Sequence, residues 1–108
     1  MDHQTMKLVV NNYDGHVSIM VIENEMCIAT AGMDFMTDSW WLARVMVKHP
    51  HRKKGIGRRM VALLKENNNG YPIIVYPGGY DLTKEEQFAF YEQCGFVRKT
   101  EHSLELPV

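Results

Sequence analysis

Between Val45 and Met60 the chain reads Val-Met-Val-Lys-His-Pro-His-Arg-Lys-Lys-Gly-Ile-Gly-Arg-Arg-Met. This stretch constrains the fold more than any other. An apolar strand runs into a basic loop with glycines at 55 and 57, and an amphipathic helix follows. Glycine at those positions lets the backbone come close to a ligand with no side chain in the way. The N–H groups of a helix's first turn lack internal partners, and the helix dipole there favours anions. Arg52, Lys53, Lys54 and Arg58 add full positive charge. Strand, glycine loop and helix start together describe a phosphate cradle. A solvated basic turn before an ordinary helix would account for Gly-x-Gly alone, but not for the strand and the arginine beside it.

Two familiar phosphate loops do not fit. A Walker A loop needs Gly-x-x-x-x-Gly-Lys-Ser/Thr, and neither spacing nor hydroxyl is present. A dinucleotide fingerprint needs a third glycine where Met60 stands, and no acidic residue closes the next strand. What fits is Arg52-x-x-Gly55-x-Gly57 preceded by Val45-x-Val47. That pattern resembles the acyl-CoA loop of the GNAT superfamily of N-acetyltransferases. Downstream, Phe90-Tyr91-Glu92-Gln93-Cys94-Gly95-Phe96 resembles the family's Tyr-x-x-x-Gly-Phe signature. Gly95 there reads as a left-handed helix stop, with Phe96 opening the next strand. Each motif is weak alone; both in order make a specific signal, covering roughly Trp40 to Phe96.

Length and composition set the outer limits. The 108 residues are read as one domain spanning 1–108, too short for two cores. An apolar share of 45% argues against disorder. The net charge of −1 gives no global pull toward nucleic acid or membrane. The basic run from His49 to Arg59 lacks the interleaved aromatics of a nucleic-acid patch, which argues against that partner. No segment approaches the roughly 20 apolar residues of a membrane span, and the first residues do not form a secretory signal. Cys27 and Cys94 show no metal or disulfide spacing, which suggests a reducing, cytoplasmic setting. His49-x-His51 in a strand would make a metal pair, but no acidic or thiol partner sits nearby in sequence. Surface histidines beside an anion site fit better, and no metal is expected.

The order of elements reads β-β-β-β-α-β-α-β. Strands are expected at 7–11, 17–22 and 26–31, with turns at Asp14-Gly15 and Glu23-Asn24-Glu25. Residues 32–39 read as a loop. A strand follows from Trp40 to Val47, with Trp41, Ala43, Val45 and Val47 on one side and Leu42, Arg44 and Met46 on the other. A helix from Ile56 to about Glu66 presents Ile56, Met60, Leu63 and Leu64. Residues 72–76 form a buried strand. Thr83-x-x-Glu86 is a capping box for the second helix. The last strand runs 96–102, with 104–106 extending the edge. The fold class is therefore α/β, a mixed, mostly antiparallel central sheet with two main helices, as in acyl-CoA N-acyltransferases.

The resemblance implies a chemistry. Acetyl-CoA would be the acetyl-donor cosubstrate, its pantetheine arm lying along the backbone of Val45, Met46 and Val47 in a slot between splayed strands. Its pyrophosphate would rest on the N–H groups from Arg52 through Lys53, Lys54, Gly55, Ile56 and Gly57 to Arg58. Tyr91 would give its phenolic proton to the departing thiolate; the alternative is a core aromatic beside Phe88 and Phe90. Relatives often carry a carboxylate near the start of the strand before the cradle, where this chain has Trp40 and Trp41. Asp34, Asp38, Asp81 and His49 are candidate bases, and the base stays unassigned. Relatives also carry one or two helices between their first strands, for which there is no room here. So open an acceptor groove suits a protein or peptide amine, such as a lysine, better than a small metabolite. A homodimer could supply the missing wall through Trp40, Trp41 and Met36 if they are exposed. The alternative to an N-acetyltransferase is a non-catalytic acyl-CoA sensor.

Overall fold

The computed structural model describes residues 6–52, 54–78 and 82–108. Lys53 and Asp81, both singled out from the sequence, lie outside the described residues. Strands β1 (Met6–Tyr13), β2 (His16–Glu23), β3 (Met26–Met36) and β4 (Ser39–Val47) form an antiparallel meander. A single 3₁₀ turn (His49–His51) leads to α1 (Ile56–Glu66), then β5 (Ile73–Val75), α2 (Lys84–Gln93), β6 (Val97–Thr100) and β7 (Ser103–Leu106). The seven strands make one sheet in the order β1-β2-β3-β4-β5-β7-β6. Only β4 and β5 run parallel, because α1 carries the chain back between them. The sheet is mixed and mostly antiparallel, with two helices, as the sequence implied.

Local chemistry sets the hairpins. Asp14 and Gly15 take φ of 53° and 75°, and Asn24 and Glu25 take 52° and 66°, the left-handed pairs that suit two-residue turns between twisted strands. Three expectations need correction. Residues 32–39 are not a loop: β3 runs on to Met36 and turns into β4 through Thr37, at φ 63°, and Asp38. Asp34 is half-buried within β3, Thr37 and Asp38 make the exposed turn, and Ser39 is buried at the start of β4. Second, β4 does not alternate evenly. A register shift at Gly32/Met33 leaves Ala43 as a bulge, so Trp40 and Leu42 point inward before it and Val45 and Val47 after it. Third, Ser103–Leu106 is no edge extension but an interior strand between β5 and β6.

The core lies on one face of the sheet. Val17, Ile19 and Val21 of β2 are buried, as are Met33, Trp40, Leu42, Ile73, Leu104 and Leu106 along the neighbouring strands. Onto them α1 sets Ile56, Met60, Val61 and Leu64, and α2 sets Phe88 and Tyr91, all within one cluster. The molecule measures 46 × 32 × 20 Å, so its thin dimension holds one sheet and one layer of helix. Among the described residues no helix covers the opposite face.

Candidate active site

The parallel ladder of β4 and β5 is short. It pairs Trp40 with Ile73, Trp41 with Ile74 and Leu42 with Val75, and there β5 ends while β4 continues to Val47. The bulge at Ala43 falls at this point. Beyond it the β5 side of β4 has no partner strand among the described residues, and its backbone groups border an opening of about 530 Å³. Of the residues singled out from the sequence, Val45, Met46, Val47, Arg52, Gly55, Ile56, Gly57, Arg58 and Tyr91 all line it. Lys54 is exposed and does not.

The cradle is built from a tied loop. Arg52 Nε donates to the Val47 carbonyl at 2.9 Å, pinning the loop to the end of β4. The Arg52 amide donates to the His49 carbonyl at 3.3 Å, so it is engaged within the loop. Gly55 is the N-cap of α1 in the left-handed conformation, φ 80°, which a residue with a Cβ adopts only at a cost. Among the described residues no side chain caps this helix, and its first turn carries no acidic residue. The Arg59 amide already bonds Gly55. Among the described residues this leaves the amides of Ile56, Gly57 and Arg58 as first-turn donors without a bonded acceptor. Arg58 lies exposed above it, its Nη2 donating to Gln93 Oε1 at 3.1 Å.

Gly57 is a close approach rather than a turn residue. A Cβ there would stand 3.1 Å from Phe90 Cζ, 3.2 Å from Phe90 Cε1 and 3.8 Å from Val45 Cγ1. It would point into the opening, whose far wall is α2. Tyr91 is buried in that wall, edge-on to Phe90 at 5.1 Å and to Phe96 at 5.3 Å between ring centroids. Gly95, at φ 100°, ends α2 as expected and aims the chain at Phe96. On the neighbouring turn, burial raises the pKa of Cys94 while the Arg58 charge opposes the shift, so the thiol stays protonated at neutral pH.

No sequence motif assigns Leu82, Gln87, Phe90 or Gln93 to the opening, yet all four face it, and so does His51 of the histidine pair. Buried Gln87 accepts from the Gly78 amide and donates to the Leu82 carbonyl, both at 3.1 Å, closing the loop before α2. Only a contact across that loop makes a glutamine informative here. His49 and His51 sit in a 3₁₀ turn and not in a strand, and His51 lies 3.5 Å from Glu23. Among the described residues no group of three metal-ligating side chains assembles.

A parallel strand pair whose ladder stops at a bulge, with a helix start at the opening, fits the acyl-CoA N-acyltransferase class of fold. Residues 14–98 match the model of the acetyltransferase (GNAT) domain, and the chain belongs to that family. Solved structures agree on the fold. PaiA N-acetyltransferase from Thermoplasma acidophilum, in complex with coenzyme A, superposes with a TM-score of 0.74 at 17% identity, over 87% of this chain and 62% of that one. A protein described as a streptothricin acetyltransferase from Bacillus anthracis, with acetyl-CoA bound, gives 0.75 at 16% identity, over 90% and 65%. The chain thus spans less than two thirds of these two proteins. It matches 98% of the anti-CRISPR protein AcrVA5, with 85% of its own length, at a TM-score of 0.67 and 19% identity. No curated protein matches the chain by sequence.

Proposed function

We propose that this chain transfers the acetyl group of acetyl-CoA to a primary amine carried by a protein or peptide. One observation carries the reading. The 530 Å³ opening joins three things that the reaction needs: β4 backbone and first-turn amides of α1 that have no bonded partner among the described residues, and Tyr91. The β4 edge can pair with an amide-bearing arm as an added strand would. The amides of Ile56, Gly57 and Arg58 suit a pyrophosphate, with the dipole of α1 and the Arg58 charge behind them. In the transfer, the ammonium first gives a proton to water; the amine nitrogen then bonds to the acyl carbon, the carbon–sulfur bond breaks, the Tyr91 hydroxyl gives its proton to the sulfur, and the surplus proton on nitrogen leaves to solvent, from which Tyr91 is reprotonated. A protein or peptide acceptor is supported by the sheet face that no described helix covers, since a small metabolite needs enclosure to be oriented.

The test is incubation with isotope-labelled acetyl-CoA, in separate arms with a cell lysate and with a panel of small primary amines, followed by mass spectrometry. Label on protein lysines or N-termini is the expected result. Label only on small amines would overturn the acceptor assignment. Donor binding with no transfer in either arm would leave a sensor in place of an enzyme.

A further inference from the structure

The sheet face away from the helices carries one continuous cross-strand row. His16 pairs with Asp34, Asp34 with Trp41, Trp41 with Ile74, and Ile74 with Glu105. Directly paired residues on neighbouring strands point to the same side. Their neighbours Val17, Met33, Trp40, Ile73 and Leu106 are buried under the helices, so this row faces outward. Tyr76, two residues beyond Ile74, returns to the same side and packs on Trp41 with ring centroids 5.5 Å apart, tilted by 46°. The two rings are 44% and 55% exposed, unusual for such large side chains packed on each other in a small domain.

Position gives the row its meaning. It crosses the β4–β5 seam at Trp41 and Ile74, one pair before the ladder ends and the slot opens. The walls of that slot, Gly57, Phe90 and Tyr91, belong to the helical side. A donor seated there fills the slot from the helices, so an attacking amine has to arrive from the open face, over Trp41 and Tyr76. Charge then selects the amine. The carboxylates of Asp34, on β3, and Glu105, on β7, bracket the aromatic pair. Asp34 is held by His16 Nδ1 at 2.5 Å, and among the described residues no cation pairs with Glu105. Arg44 stands on the same face opposite Gly32, beyond the bulge, which confines a seat for a cation to the Trp41 end.

We propose that the row Asp34–Trp41–Ile74–Glu105, with Tyr76, is the acceptor seat, and that it selects an ammonium on a flexible aliphatic stem, as in a lysine side chain. The stem lies on Ile74 and the ring faces; the charge gains from the ring quadrupoles and the two carboxylates. The assignment deepens the acetyl-transfer reading and rests on it for the direction of approach.

The experiment follows the two indole N–H signals by NMR. Trp40 is buried and its indole donates to the Asn68 carbonyl at 2.8 Å, so it serves as an internal reference for exposed Trp41. The probes are Nα-acetyl-lysine methylamide and its norleucine counterpart, titrated with and without CoA. The lysine probe should move the Trp41 signal and leave Trp40 in place, with an affinity roughly two- to fivefold above that of norleucine. Asp34→Asn and Glu105→Gln should erase that preference without weakening norleucine. A still Trp41 signal, equal response to both probes, or a preference untouched by the two variants overturns the proposal. Whether CoA shifts the Ile56–Arg58 amides is read from the same samples. The donor reading therefore fails or stands separately from the acceptor seat.

Discussion

At Gly57 even a methyl group would crowd the Phe90 ring at 3.1 Å, and that half-buried ring can swing only by giving up its place along the slot. Gly57→Ala should therefore weaken CoA binding roughly tenfold, within the range that overpacking costs, while the domain stays folded. Gly57→Glu, which adds a like charge facing a phosphate, should abolish it. Calorimetric titration with CoA measures both; unchanged affinity in both variants would mean that the glycine serves packing alone. Tyr91→Phe keeps the ring between Phe90 and Phe96 and removes the hydroxyl. If that hydroxyl protonates the thiolate, turnover falls by about 10²–10⁴-fold while CoA affinity holds. Near-normal turnover would return Tyr91 to a packing role. The sequence pointed to both residues through motif spacing, but not to Phe90, through which Gly57 acts, because nothing along the chain pairs them.

The two helices start in opposite ways. Thr83 caps α2 in a reciprocal box: its Oγ1 accepts from the Glu86 amide at 3.1 Å, and Glu86 Oε1 accepts from the Thr83 amide at 2.8 Å. Glu85 and Glu86 then interact favourably with the positive end of the helix dipole. α1 has none of this, which is how a helix start looks when an outside anion is to complete it. Thr83→Ala should cost about 1 kcal/mol, and chemical denaturation should show it as a lower midpoint with unchanged slope. The box was legible in the sequence because capping is local, fixed by residues three apart. The extent of β3 was not. Gly32, Asp34, Thr37 and Asp38 read as a loop, yet Asp34 belongs to a strand whose outer face is wet, and its pairing with Trp41 crosses a hairpin.

For the molecule as a whole, a single core on one side of a seven-stranded sheet makes a thin domain whose slot a ligand would fill. CoA at about 100 times its dissociation constant should add roughly 2.7 kcal/mol, a rise in melting temperature on the order of 10 °C for a domain of this size. A melt unmoved by millimolar CoA would remove the donor assignment. Gain with CoA but none with pantetheine would assign the effect to the phosphates. Met36 and Trp41 are exposed as a partner surface would require, but Trp40 is buried and bonded to Asn68 and cannot serve one.

The chain by itself determined what depends on near neighbours: the strand–loop–helix cradle, the left-handed stop at Gly95, the capping box and the hairpin turns at Asp14-Gly15 and Asn24-Glu25. Those features rest on dihedral preference and on hydrogen bonds within one turn, so they are written in consecutive residues. Only the tertiary structure decided where β4 bulges, that β7 lies inside the sheet, and that Phe90 meets Gly57. It alone also brought Asp34, Trp41, Ile74 and Glu105 into one row on the face that no described helix covers. Each of these is a register between segments far apart in sequence, and register is settled by which apolar sets can share one core.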